Sequence, residues 1–197
     1  MSPVSWILLA VVLLVVFWAI GAFNRLTRLK NAIGNAFGQI DVQLKRRYDL
    51  IPNLVEVARK YLAHESQTLE AVIAARNQAR SAEQSVAASP LNAGAIGALT
   101  GAEQVLGGAL GRLFAVAEAY PDLKADQTMR ELSEELSSTE NRIGFARQAY
   151  NDHVLEFNDA AAQFPALIVA RLFNFRTQPM LESTSSEAER QPVKVSF

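Results

Sequence analysis

The chain has no cysteine, only two histidines (His64 and His153), two tryptophans, and a formal net charge of −1. Without thiols there is no disulfide, no thiolate metal site and no cysteine nucleophile, although the compartment is left open. The balanced charge removes the strongly basic surface expected of a nucleic-acid-binding domain. Lys45, Arg46 and Arg47 form the only basic triplet, and it reads as a solvated helix face or turn rather than a phosphate site. Strand-type alternation is absent. So are the nucleophile elbow, the phosphate loop and the dinucleotide fingerprint, and Gly107-Gly108 is not followed by Lys-Ser/Thr. His64-Glu65 begins a zincin-like pair, but Thr68 stands where a second histidine is required, and neither histidine has a glutamate three residues earlier to build a di-iron bundle. The sequence offers no catalytic, cofactor-binding or metal residues. It is read as a non-enzyme that needs no cofactor.

What is present begins with an uncharged run from Val4 to Phe23, interrupted only by Ser5 and Gly21. Twenty helical residues span about 30 Å, the thickness of the hydrocarbon core, and Trp6 at one end and Trp18 and Phe23 at the other suit the two interfaces. A cleaved signal peptide is the alternative, with Ala19 and Gly21 near a cleavage site. The missing basic residues before Val4 and the length of the run favour an uncleaved anchor over residues 1–23. Arg25, Arg28 and Lys30 follow the run, which places the amino terminus outside and the rest of the chain in the cytoplasm.

Beyond the run, apolar residues recur at three- and four-residue steps, predicting an all-α domain. The first stripe is Leu26, Leu29, Ile33, Phe37, Ile40, Leu44 and Tyr48. The second is Leu54, Ala58, Tyr61, Thr68, Val72, Ala75 and Ala79. The third, with Thr100 and Glu103 placed as a capping box, continues through Leu106, Leu110, Leu113, Ala117 and Tyr120. The fourth and longest is Met129, Leu132, Leu136, Thr139, Ile143, Ala146, Tyr150, His153, Phe157, Ala161 and Phe164. Four such stretches predict an antiparallel, up-and-down four-helix bundle over residues 24–164.

The breaks have local causes. Pro52 predicts a tight turn near Asp49–Ile51, with Asp49 as a cap, or otherwise a kinked continuous helix. Ser81 to Asn92, rich in Ser and Ala and containing Pro90, reads as a loop. Tyr120-Pro121-Asp122 combines a stop, a breaker and a cap. The glycines from Gly94 to Gly111 suggest close approach of another backbone, or a frayed helix start for the first three. Glu131, Glu134, Glu135 and Glu140 read as an acidic patch on an outer helix face, solvated and ion-paired. Residues 165–179 open with a densely apolar segment, Phe164 to Phe175. It either packs against the end of the bundle, the favoured reading, or rests in the membrane interface beside the anchor. Residues 180–197 read as a mostly disordered tail ending in an extended apolar stretch, Pro192 to Phe197.

The segments GQIDVQLKRRYDLIPNLVEVARKY (Gly38 to Tyr61), HESQTLEAVIAARNQA (His64 to Ala79), LGRLFAVAEAYPDLKA (Leu110 to Ala125) and ELSSTENRIGFARQAYNDHVLEFN (Glu135 to Asn158), with the ending PVKVSF, closely resemble the LemA family. The resemblance covers nearly the whole chain and implies a single-pass protein of the bacterial inner membrane. It also implies an antiparallel helical bundle with no known enzymatic activity or cofactor. Relatives in magnetosome membranes, and others encoded beside a membrane zinc protease, imply an adaptor or organiser. The chain departs from the family pattern after Phe164-Pro165, where Ala-Leu-Ile-Val replaces a Gly-Asn-Leu-Ile-like segment.

Two classes of function follow. One is a membrane-anchored scaffold that binds the bilayer through residues 4–23 and recruits membrane-associated proteins, a membrane protease or further copies of itself. The other is a small-ligand or metal-dependent activity inside the bundle, for which a buried His153 and neighbouring polar residues are the only candidates.

Overall fold

The structure, a computed structural model, describes residues 2–181. Among them every regular element is a helix. These are α1 (Pro3–Arg59), α2 (Ser66–Ala88), α3 (Ala93–Ala117), the short α4 (Pro121–Ala125), α5 (Gln127–Ala162) and α6 (Ala166–Leu172). The expected disordered tail falls, from residue 182 onward, outside the described residues.

The tight turn expected at Asp49–Ile51 does not form. α1 runs unbroken for 57 residues through Pro52. A proline lacks the N–H that would bond the carbonyl four residues earlier, here that of Tyr48. That carbonyl accepts instead from Arg76 Nε of α2, at 2.9 Å. A tertiary contact thus satisfies the acceptor that Pro52 orphans, and the helix continues.

Packing follows the apolar stripes. α1 lies along α5 and α2, and α2 lies along α3. Phe37 meets Tyr150 edge to face at 6.4 Å between ring centroids, and Arg46 reaches Glu135. A residue further along α1 thus meets one earlier in α5, so the two helices are antiparallel. Ile33, Phe37, Ile40, Leu44, Tyr48, Ile51 and Leu54 of α1 share one core with Val72, Leu106, Ile143, Tyr150 and Phe157. Each such side chain contributes about 1.5–3 kcal/mol by leaving water. On α5 the expected stripe is buried at Met129, Leu136, Thr139, Ile143, Tyr150, Phe157 and Ala161. It fails at its end, where Phe164 is 81% exposed.

Several boundaries differ from expectation. The loop expected from Ser81 shrinks to the residues between Ala88 and Ala93, because α2 continues to bury Glu83 and Val86. α3 starts at Ala93 on an Asn92 cap, whose side chain accepts from the Ala95 N–H at 3.1 Å. Thr100 and Glu103 therefore form no capping box. Thr100 bonds back to the Ile96 carbonyl, and Glu103 points into the core. The glycines at 97, 101, 107, 108 and 111 face open space, and a Cβ added at any of them would meet nothing within 4 Å. Among the described residues, no close backbone approach explains them. Tyr120 and Asp126 stop and start helices, with Asp126 capping α5 through Met129 N–H at 3.0 Å.

α6 ends in a Schellman turn. Asn174 takes a left-handed φ of 56°, the Phe175 N–H reaches the Ala170 carbonyl at 2.9 Å, and the Asn174 N–H reaches that of Arg171. Asparagine tolerates this conformation better than other non-glycine residues. The turn sets the rings of Phe173 and Phe175 at 4.8 and 5.6 Å from Phe23 of α1.

Candidate functional site

The residues with most chemistry lie where α1 crosses the other helices, and their sequence pattern suggests only ordinary roles. The basic triplet divides three ways. Lys45 turns toward α2, 2.6 Å from Asp41 and 3.7 Å from Glu83. Arg46 binds Glu135 of α5 at the surface, with its Nε at 3.0 Å. Arg47 points inward and is buried between Glu103 of α3, at 2.8 Å, and Glu140 of α5, at 2.9 Å. So the triplet is not one solvated face: Lys45 and Arg46 stay half exposed, and Arg47 is buried. The acidic patch does lie on the outer side of α5, solvated and ion-paired: Glu135 and Glu140 are the anions for Arg46 and Arg47, Glu131 accepts from Gln127, and Glu134 remains exposed.

Glu103 is 3% exposed and accepts from two neighbours on α1, Arg47 and the Tyr48 hydroxyl at 2.6 Å. Burial, reinforced by the Glu103 carboxylate, pushes the Tyr48 hydroxyl well above its ordinary range, so it remains a donor. Arg147 of α5 lies close enough to feel Glu140 and Glu103, and burial lowers its pKa. The gap between these groups is small. A cavity of about 10 Å³, lined by Ile40, Leu44, Leu99, Thr100, Glu103, Arg147 and Leu181, is at the lower limit for a single water.

On the preceding two turns of α1, Asp41 and Lys45 face Glu83. Glu83 is 1% exposed, and neither of its oxygens has a hydrogen-bond donor within reach when it is ionised. Burial raises the Glu83 carboxyl to about 7, and the facing Asp41 carboxyl adds to the rise. Asp41 moves the other way. Burial works against its ionisation, but a proton shared from Glu83 and the Lys45 ammonium pull it down. The opposed shifts make Glu83 the carboxyl that keeps its proton as pH rises toward 7 and Asp41 the one that ionises first.

A third feature is a strap. After α6 the chain returns along α5, where two asparagines clamp its backbone. Asn158 exchanges two hydrogen bonds with Gln178, at 2.8 and 3.0 Å. Asn151 does the same with Leu181, both at 2.9 Å. Two helical turns and three extended residues both span about 10 Å, so the spacings match. Leu181 lands over the cavity beside Glu103 and is itself buried.

The histidines do not join these features. His64 is exposed in the turn after α1, and the His153 side chain is 43% exposed with Glu156 at 4.0 Å, not buried as expected. Among the described residues, no group of three or more His, Asp or Glu side chains is placed to hold a metal. The buried Glu83 and Glu103 and the half-buried Arg76 have a readable signal. Each glutamate occupies an apolar-stripe position (Ala79, Glu83, Val86; Leu99, Glu103, Leu106), and Pro52 announces a carbonyl in need of a donor.

A family model described as the LemA family matches residues 36–197, which include Arg47, Glu83 and Glu103. The chain belongs to the LemA family. The magnetosome protein MamQ of Magnetospirillum gryphiswaldense is 27% identical over 151 residues, covering 69% of this chain and 56% of that protein. MamQ 2 and MamQ 1 of Paramagnetospirillum magneticum are each 28% identical over the same extent. This LemA-family chain thus spans little more than half the length of the relatives it matches. Its first helix carries a stretch long and apolar enough to cross a membrane, none of which is buried against the rest of the chain.

Proposed function

We propose that this LemA-family chain is a single-pass, membrane-anchored scaffold of the bacterial inner membrane, acting through protein contacts rather than catalysis. The observation that carries the reading is the continuity of α1. One unbroken helix presents an exposed apolar span at Val4–Phe23 and the buried core stripe from Leu26 to Leu54. A rigid helix across that junction fixes the height and tilt of the helical domain above the bilayer, as a recruiting platform requires. The packing of α1, α2, α3 and α5 supports closure as an up-and-down four-helix bundle. Arg25, Arg28 and Lys30 support a cytoplasmic domain. The magnetosome names of the relatives support a membrane role; the partners we infer are membrane-associated proteins, a membrane protease among them, and further copies of the chain.

The absence of cysteine makes the test direct. The full chain carrying Gln67→Cys, an exposed position in the first turn of α2, should stay in the membrane pellet after alkaline carbonate. It should resist an impermeant maleimide in intact cells and react after lysis. Release by carbonate removes the anchor, and labelling of intact cells puts the domain outside. The alternative, a ligand- or metal-dependent activity within the bundle, has less to stand on with His153 half-exposed and the core cavity no larger than a water. Stoichiometric metal in the purified protein would revive it.

A further inference from the structure

α6 has two faces. Val169 and Ala170 are buried against Leu26, Ala160 and Ala161, with Ala19, Ala22 and Phe23 of α1 packed around them. The opposite face carries Ile168 and Leu172, which are 57% and 76% exposed, and the residues flanking the helix add Phe164 in the turn before it and Phe173 at its end, 81% and 53% exposed. Positions 168 and 172 fall on one line at a four-residue step. An apolar crest of this size left in water is unfavourable and marks a binding surface.

Its height on the molecule identifies the occupant. Ala19, Ala22 and Phe23 belong to the last turns of the apolar span, so α6 packs against α1 about one helical turn inside the end of that span. Phe173 contacts Phe23 directly. Exposed basic residues ring the same end: Arg25, Arg28 and Lys30 on α1, Arg171 on α6, and Arg176 beyond it, against the exposed acids Glu156 and Asp159. An apolar crest rimmed by arginine, level with the end of a membrane span, has the pattern of an interfacial helix.

We propose that α6 is a second membrane contact, lying in the headgroup–acyl boundary with Phe164, Ile168, Leu172 and Phe173 in the lipid and the neighbouring basic residues at anionic headgroups. The chain then holds the bilayer at two places: a span that anchors, and a crest that fixes the rotation of the domain about the span. This rests on the reading of Val4–Phe23 as an anchor, and it joins the two alternatives for this segment, because Val169 and Ala170 pack on the helices while the crest enters the interface.

Single cysteines test it in the full chain, reconstituted in phosphatidylcholine vesicles containing phosphatidylglycerol. Ile168→Cys, Leu172→Cys, Gln148→Cys and Val12→Cys would each carry an environment-sensitive fluorophore. The expected result is at least a twofold loss of emission at positions 168 and 172 with lipid brominated near the head of the acyl chain, and little loss with aqueous iodide. Position 148 should show the reverse. Position 12 should respond to bromine placed near the chain ends. Iodide quenching at 168 and 172 would overturn the proposal while a bromine-quenched position 12 keeps the anchor. Protection from both quenchers would also overturn it, since a protein surface such as a second copy would then cover the crest. A position 12 that reports water would remove the anchor and this proposal together.

Discussion

Two carboxyls enter the core against α1 within a few turns of each other, and they are neutralised in different ways. Glu103 meets a guanidinium and a phenol, so its negative charge is matched inside the protein. Glu83 meets another carboxyl, with the Lys45 ammonium 3.7 Å away and half out in solvent. One site is held by a counter-ion, the other by a proton. Both are equally dry, so burial alone does not decide the outcome. The partner that the facing turn of α1 supplies decides it. The Arg47 site should be indifferent to neutral pH and intolerant of losing a member, and the Glu83 site the converse.

A carboxylate with neither kind of partner gives the reference point and the largest effect. Ile143→Asp would put one on the α5 face that packs on α1, where Ile143 is fully buried. It should cost several kcal/mol, enough to abolish cooperative urea unfolding of the full chain in micelles. Gln148→Asp, on the exposed side of the same helix, should leave the transition in place. Similar losses at both would mean that the buried face of α5 is misassigned.

That face is legible in the sequence because period 3.6 survives any amount of charge on the other side of a helix. The stripes through Ile33–Tyr48 and Met129–Phe157 need nothing else. What is not legible depends on contacts distant in sequence. Pro52 looks like a break because the donor that relieves it, Arg76, sits on another helix. Lys45-Arg46-Arg47 looks like one surface patch because successive helical residues point about 100° apart, toward three different neighbours. Glu83 and Glu103 escape notice because an isolated glutamate is usually solvated, although both stand at apolar positions. The strap is hidden because an asparagine clamp on a backbone has no periodicity.

The next effect in size is at the counter-ion site. Arg47→Met leaves Glu103 buried with the Tyr48 hydroxyl and the more distant Arg147 charge, and the loss should be about 3–5 kcal/mol. The double variant Arg47→Met/Glu103→Leu should recover a large part of that loss, since it removes the charge that is left stranded. The check is a double-mutant cycle from urea midpoints. Additive losses would show that Arg47 acts by packing and by its pair with Glu140, and that Glu103 is indifferent to it.

At the proton site the effect is smaller and depends on pH. Glu83 has its folded carboxyl raised from 4.5 to about 7. Between those values the folded chain keeps a proton that the unfolded chain releases, so stability is fully present below 4.5 and is lost as pH rises toward 7. The slope is at most about 1.4 kcal/mol per pH unit. Asp41 is displaced downward, so its contribution is lost only in acid, below its ordinary 3.8. Glu83→Gln can still donate to Asp41 and should flatten the dependence between pH 5 and 7 with little change at pH 5. An unchanged slope in that variant would mean the proton is held elsewhere.

The smallest effect belongs to the member of the basic triplet that pairs at the surface of α5. Arg46 and Glu135 have side chains 52% and 38% exposed, yet their contact is as close as that between Arg47 and Glu103. If distance set the energy, the two pairs would be worth the same. Solvent sets it instead: water screens the outer pair, and holding two long side chains in register carries an entropic cost, so its coupling should stay below about 1 kcal/mol. A cycle of Arg46→Gln with Glu135→Gln should give that value at low salt and lose most of it near 1 M, where the Debye length is about 3 Å. The Arg47–Glu103 coupling should barely respond to the same salt. Equal salt sensitivity in the two cycles would show that water reaches Glu103 after all, most directly by release of the strap at Leu181, and the contrast between the counter-ion site and the surface would disappear.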